Sequence, residues 1–469
     1  MEFQPIVMAG GPGSRLSDLT VKCPKALLPI GNKPMVWYTI NMLEKAGFEE
    51  AIVVVQEEHC EEIKNQLMDI CAVKIRLDFF SLDDDEAGTA DVLRILGEKD
   101  KIKRDILILS CDLITDVSLH NVANIHRTYD ASATLLLSQL PSQYYDVPAP
   151  GVKSKKRLEK DFFGFDEKGE RILFLTSEAD VEESIEMKKS ILRKHPCINI
   201  KTKLTDCFMY FMKKWVIDYL IEYKTISDLK GELIPHLVRK QFLKPKKSDK
   251  DLPKPDQSVI VETTKADILS FSKSEEYADE IRSMSTWIDH RGDMEDCFHC
   301  SKIRCYAYLQ NEGVCLRANT LSSYSESNKQ VGMGPVKRKV QKIFSALDIG
   351  KDKDVHIHPS ATIKEKSQVG ADCLVAEGAL IGERVSIKKS VVGKHCKIED
   401  KVKITNSVIM DHVTVKEGSN VQGSIISAHS LIGEKCDLKD CIVGNEQHVN
   451  PMGKYTNEAI VEVEKMMEI

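Results

Sequence analysis

An α/β domain followed by a solenoid of stacked β-coils is the architecture that this sequence predicts, and three patterns carry that expectation. Over roughly the first 140 residues short aliphatic runs alternate with amphipathic ones, the mark of a sheet of parallel strands wrapped by helices. A glycine-rich loop, Gly10-Gly11-Pro12-Gly13, directly follows the first aliphatic run. In the last third, aliphatic residues recur at steps of six, six and five, a period of 17 kept through four turns. Such a pattern buries its side chains only when one turn stacks on the next.

Taken in order, Phe3 to Met8 reads as a first buried strand. Pro24, Pro29 and Pro34 are spaced to hold the following segment extended and to carry Lys25 back along the mouth of the loop. Pro34 suits the first position of a helix reaching Lys45, with Val36, Trp37, Ile40 and Leu43 as its apolar face. Strands are expected at 51–55, 73–80 and 105–109, and helices at 58–68 and 89–96. In the solenoid one column is Ile381, Ile398, Val415, Ile432; a second is Ile387, Ile404, Val421, Leu438; a third is Val392, Ile409, Ile426, Val443. Ser390, Ser407, Ser424 and Cys441 form a column of small residues, and His395, His412 and His429 one of corner residues facing solvent.

The expected divisions are an α/β domain at 1–257, a connector at 258–345, the solenoid at 346–456 and a helix capping its end at 457–469. Two stretches rich in proline, lysine and serine, near 141–162 and 244–257, read as mobile surface insertions. A formal net charge of −6 with both signs interspersed gives no case for nucleic acid or a membrane surface. No basic-then-apolar leader is visible and the 14 cysteines are scattered, so a reduced, cytosolic chain is the expectation. Cys297, His299 and Cys300 lack a matching second pair, and Cys305 and Cys315 sit in a run that alternates like a hairpin around Asn311-Glu312-Gly313; no zinc site is expected.

The chemistry suggested is phosphate handling. Gly10, Gly11 and Gly13 let amides turn toward an anion, Arg15 supplies a planar fork for phosphate oxygens, and Lys25 adds a second cation. In a parallel sheet ligands sit outside the carboxyl ends of the strands, where Gly88 and Thr89 open a helix and Asp112 follows a strand.

These residues, in order and spacing, resemble the signature of the sugar nucleotidyltransferases, which implies a Rossmann-like nucleotidyltransferase domain. The resemblance assigns base recognition to Gly88 and Thr89, and magnesium to Asp112. Several positions depart from it: Asp18 for proline, Cys111 for glycine, Ala179-Asp180 for the Lys-Pro that contacts the sugar phosphate, and Thr205-Asp206-Cys207-Phe208 for an Asn-Ala-Gly stretch under the sugar. Losing several members of a cooperative site costs more than any one deletion suggests. The solenoid resembles the left-handed parallel β-helix of hexapeptide-repeat proteins.

The combination resembles the subunits of eukaryotic translation initiation factor 2B, chiefly the gamma type, most specifically in GELIPHLVRKQF (231–242) and RANTLSSYSESNKQV (317–331). That resemblance implies a scaffold without catalytic residues or a cofactor, paired with the epsilon subunit. It would help a guanine-nucleotide exchange factor engage the GTPase initiation factor 2. No acidic, aromatic helical domain of the exchange-active epsilon kind is visible up to Ile469, so exchange by this chain alone is not expected. A nucleotide held with magnesium but not turned over stays open, as does an active mannose-1-phosphate guanylyltransferase; an acyltransferase built on the β-helix ranks last.

Overall fold

In the computed structural model the described residues are 2–71, 73–82, 87–139, 150–151, 160–181, 184–185, 187–242, 268–272, 301–311, 313–333, 355–370 and 372–461. The α/β domain is built on strands β1 (Phe3–Met8), β2 (Glu50–Gln56), β3 (Arg76–Leu82), β4 (Asp105–Ser110), β5 (Ala133–Gln139), β6 (Leu204–Met212) and β7 (Cys305–Gln310). They form one sheet in the order β7-β5-β6-β4-β1-β2-β3. Because successive side chains point to opposite faces, Val7, Val53, Leu107 and Leu109 join one core with helices α1 (Met35–Lys45) and α3 (Leu119–Thr128). Ile6, Ile52, Ile106 and Ile108 join a second core with α2 (Thr89–Glu98).

The sheet is mixed rather than parallel: β6 runs antiparallel to both β4 and β5. The alternation read in the first 140 residues could not show a strand that arrives after residue 200. The expected connector is also part of this domain where it is described. β7 lies along the edge of β5, parallel to it, and Cys315–Arg317 pairs antiparallel with Leu113–Thr115. The two segments therefore do not form a hairpin with each other. Joining existing strands buries Cys305, Ala307 and Cys315 in cores that a lone hairpin could not provide. Cys297, His299, Cys300, most of the 141–162 stretch and all of 244–257 lie outside the described residues.

Pro24 to Pro34 is not one extended run. Lys25–Leu27 makes a 3-10 turn, and Pro29–Ile30 folds back on Lys33–Pro34 through Gly31 and Asn32, both with positive φ. Helix α4 (Leu321–Met333) pins this hairpin: Tyr324 donates to the Pro29 carbonyl at 2.5 Å and Asn328 accepts from the Gly31 amide at 3.0 Å.

Among the described residues the β-helix consists of three parallel sheets of seven, six and six strands. All three aliphatic columns pair in register, as Ile381–Ile398–Val415–Ile432, Ile387–Ile404–Val421–Leu438 and Val392–Ile409–Ile426–Val443. The small column is a hydrogen-bond ladder: Ser407 N donates to Ser390 Oγ, Ser424 N to Ser407 Oγ and Cys441 N to Ser424 Oγ. His395, His412 and His429 occupy exposed corners with positive φ, their rings stacked 5.2 and 4.8 Å apart. The helix expected from residue 457 does not begin there. Ala459–Ile460 adds one more strand beside Ile442–Val443, because its apolar pair continues the stacking; residues 462–469 lie outside the described ones.

One sheet of the β-helix differs from the others. Its strands Val391–Val392, Val408–Ile409, Ile425–Ile426 and Ile442–Val443 are aliphatic on both faces, whereas most strands of the other two sheets carry a polar residue such as Lys, Thr, Ser or Asp outward, Leu380–Ile381 and Leu431–Ile432 excepted. The outward column Val408, Ile425 and Ile442 is buried in the core of the α/β domain. The docking is completed by Asn32 Nδ2 donating to the Val392 carbonyl at 3.2 Å and Gly151 N donating to the Asp440 carbonyl at 2.7 Å. No helix among the described residues is long and apolar enough to cross a membrane.

Candidate functional site

The glycine loop leaves the carboxyl end of β1 as the sequence suggests. Gly13 has φ 73°, and a Cβ there would press on Thr20 at 3.0 Å, so the position favours glycine twice over. Around Gly11 a Cβ would meet nothing within 4 Å, and Gly11 and Arg15 are exposed. This side of the loop is open to solvent.

The other side is closed by the chain itself. Lys25 Nζ lies 2.5 Å from Asp112 Oδ2, and Arg317 Nε lies 3.0 Å from Oδ1 of the same carboxylate, which is 0% exposed. Burial by itself would raise the Asp112 carboxyl, but Lys25 and Arg317 outweigh it and hold the group well below the usual carboxylate range. Burial would likewise lower Arg317, yet Asp112 raises it. Asp112 does not cap the following helix, Leu119–Thr128, whose N-cap is Ser118. With both oxygens engaged by cations, a magnesium ion would have to displace one of them. The arrangement does not fit the metal that the resemblance assigns to Asp112.

Phe208 fills the space beside this cluster. Its ring lies under the Arg317 guanidinium at 4.7 Å, and its φ is 53°, a left-handed conformation that glycine adopts freely and phenylalanine at a cost of about 1–2 kcal/mol. The strain is held by a bulge in β6 between Asp206 and Tyr210, where Asp206 accepts from Phe208 N at 2.8 Å and from Tyr210 OH at 2.5 Å. Burial pushes the Asp206 carboxyl up. Cys111 is buried next to Asp112, its thiol pushed up to about 11 by burial. At the end of the strand Ile172–Ser177, the 3-10 turn Glu178–Asp180 exposes Asp180.

The expected base-recognition segment is also satisfied internally. Ala90 N donates to the Ser227 carbonyl at 2.8 Å and Gly88 N to Asp91 Oδ2 at 3.1 Å. Thr89 Oγ1 donates to Asp228 Oδ1 at 2.7 Å and accepts from Leu229 N at 2.8 Å. A Cβ on Gly88 would sit 2.2 Å from the Ser227 carbonyl oxygen. Glycine is needed there for close approach of a loop of the same chain, and Thr89 ties the helix to that loop instead of facing a base.

Of the eight candidate residues, then, Lys25 meets Asp112 directly, Gly10, Gly11, Gly13 and Arg15 form the open loop, and Gly88 and Thr89 make their contacts elsewhere. Sequence reasoning missed Arg317, and it marked Phe208 only as part of a departure from the family stretch under the sugar, not as the ring beneath the Arg317 guanidinium. Arg317 begins RANTLSSYSESNKQV, one of the two most specific stretches of the family resemblance, but nothing in its spacing tells that it reaches Asp112.

The nucleotidyl transferase family matches residues 4–146, and the eIF2B subunit epsilon LbH domain matches residues 352–454. The β-helix is accordingly of the left-handed kind. The chain is 30% identical over 416 residues to the translation initiation factor eIF2B subunit gamma of Dictyostelium discoideum, covering 85% of this chain and 88% of that one. It is 31% identical over 393 residues to the protein of the same name from Schizosaccharomyces pombe, covering 82% and 74%. Similarity to the mannose-1-phosphate guanyltransferase of Saccharomyces cerevisiae, 27% over 172 residues, covers 34% of this chain and 46% of the enzyme. A nucleotidyltransferase-like domain closed by its own Arg317, joined to this β-helix and matched nearly end to end by those two relatives, places the chain in the gamma-subunit family of translation initiation factor eIF2B.

Proposed function

We propose that this chain is a non-catalytic, cytosolic subunit of an eIF2B assembly, pairing with the epsilon subunit and contributing contact surface for the GTPase initiation factor 2 during guanine-nucleotide exchange. One observation carries the loss of nucleotidyl transfer: Asp112, the residue a metal would need, is saturated by Lys25 and Arg317, and Phe208 occupies the adjoining space. Transfer needs a nucleotide, a sugar phosphate and a metal in line, and in this arrangement Lys25 is committed to a buried carboxylate rather than to a transferred phosphate. No cofactor is proposed. The open Gly11–Arg15 side of the loop leaves room for an anion.

The purified chain should release no pyrophosphate from GTP with mannose 1-phosphate and magnesium, and should co-purify in stoichiometric amount with the other eIF2B subunits. The second reading, an active guanylyltransferase, is favoured by the retained loop and by the partial match to those enzymes over a third of the chain. Turnover by the isolated chain together with recovery as a homo-oligomer would establish that reading and overturn ours.

A further inference from the structure

The α/β domain carries a small second sheet, made of Asp161–Phe165, Ile172–Ser177 and Asn199–Lys201 in the order Ile172–Ser177, Asp161–Phe165, Asn199–Lys201. Its inner face, Phe163, Phe165 and Ile172, is buried in the domain core. Its outer face is not. Ile200 stands opposite Gly164, which stands opposite Phe174, and the Phe174 ring lies where a Gly164 Cβ would be. Asn199–Lys201 is an edge strand whose three residues are all exposed, and no further described strand pairs with it. Ile200 is 48% exposed, and Leu192, on the preceding helix Lys189–Lys194, is 49% exposed.

The segment that carries this edge is basic, although Asp166 and Glu167 follow the neighbouring strand at its Asn199 end. Residues 187–204 contain six Lys or Arg and no carboxylate, in a chain of net charge −6. Lys188, Lys189, Arg193, Lys201 and Lys203 are exposed, and none of the five forms an ion pair among the described residues. Lysines also guard edge strands against unwanted pairing, but a guarded edge has no need of a half-exposed Ile200 at its centre and a half-exposed Leu192 on the helix that leads into it.

We propose that this edge is a docking surface for an acidic, extended segment of a partner polypeptide, which adds as a fourth strand along Asn199–Lys201. Its main-chain groups would pair with the edge, its carboxylates with the five cations, and its aliphatic side chains would cover Ile200 and Leu192. The chemistry favours polypeptide over RNA because an edge strand offers main-chain pairing and its half-exposed apolar residues, Ile200 and Leu192, are aliphatic, while the Phe174 ring on the outer face is packed on Gly164. This inference does not depend on the closed nucleotide site and would stand if this chain proved to be an enzyme.

The test is fluorescence anisotropy with the full chain and a labelled short peptide alternating glutamate and valine. A glutamine–valine peptide, oligouridine RNA and phosphatidylserine vesicles serve as competitors, at low and at physiological salt. The acidic peptide should bind, and more weakly as salt rises. Lys188→Glu, Lys189→Glu and Arg193→Glu combined should weaken binding by about tenfold or more. Ile200→Asp should weaken it comparably while leaving the chain's circular dichroism unchanged, since each altered side chain is exposed. The proposal is overturned if the unaltered chain fails to bind the peptide at high micromolar concentration, or if charge reversal leaves binding unchanged. Tighter binding of RNA, vesicles or a second copy of the chain would overturn it equally.

Discussion

Ile404 in the β-helix and Asp112 in the α/β domain are both 0% exposed, yet their partners lie at very different distances along the chain. Ile404 stacks between Ile387 and Val421, one period away on either side. Asp112 is held by Lys25, 87 residues earlier, and by Arg317, 205 residues later. Burial of Ile404 is a nearest-neighbour affair repeated coil after coil, so its energetics are those of a solenoid. Burial of Asp112 is tolerable only because two remote cations converge on it, and it fails if either is withdrawn.

The largest expected effect tests that dependence. Asp112→Asn leaves Lys25 and Arg317 facing each other without an anion and should cost about 3–5 kcal/mol, measured by chemical denaturation. A loss below about 1 kcal/mol would mean that the cations relax to water and the cluster is not holding the domain. The same pair carries a pH signature. Since the folded carboxyl is held below its ordinary value, its contribution is complete above the unfolded pKa and disappears as pH falls through the folded one. Acid unfolding of the parent should therefore be steeper than that of Asp112→Asn.

Next in size, Ile404→Ala should cost about 3 kcal/mol through lost transfer energy and an unfilled cavity. Because each coil rests on its neighbours, hydrogen exchange should rise most at 386–388 and 420–422, the paired strands, while the Asp112 region keeps its protection. Equal loosening of both regions would show that the two parts unfold as one unit.

His126 gives a smaller, graded effect. Burial, with Lys213 nearby, pushes its imidazole down to about 3, and Nδ1 lies 2.9 Å from Thr134 Oγ1. A base depressed in the folded state binds fewer protons than the unfolded chain between its two pKa values. Stability should accordingly be complete above about pH 6.5 and fall toward pH 3, by at most about 1.4 kcal/mol per pH unit. His126→Gln should remove that slope in pH-dependent denaturation. The smallest effect belongs to the exposed pair Lys401–Glu417, 2.6 Å apart: Lys401→Ala should change stability by less than about 1 kcal/mol, and a larger loss would reveal a network along that corner.

The same contrast explains how far each region is legible in the sequence. The three aliphatic columns need only a period of 17, which any window of four coils displays. Even the docking face is present there, as the doubled aliphatics Val391-Val392, Val408-Ile409, Ile425-Ile426 and Ile442-Val443, although the periodicity alone does not single it out. The end of the β-helix misleads because Ala459 and Ile460 fit a helical pattern as well as a strand pair, and stacking on Ile442–Val443 decides between them. Within the site, Gly10, Gly11, Gly13, Arg15, Lys25 and Asp112 are identifiable from order and spacing, whereas the pairing of Lys25 with Asp112 is not.

By itself, then, the amino-acid sequence determined what repeats or is contiguous: the coils, the glycine loop after β1 and the positions that depart from the transferase signature. Tertiary structure alone decided that Arg317 closes on Asp112, that Phe208 takes up a left-handed conformation beneath it, and that Ser227 occupies the Ala90 amide. The physical reason is the range of the interactions. Periodic burial is written in neighbouring residues, whereas a buried charge finds its partners wherever the folded chain brings them, and no local pattern records a contact 205 residues away.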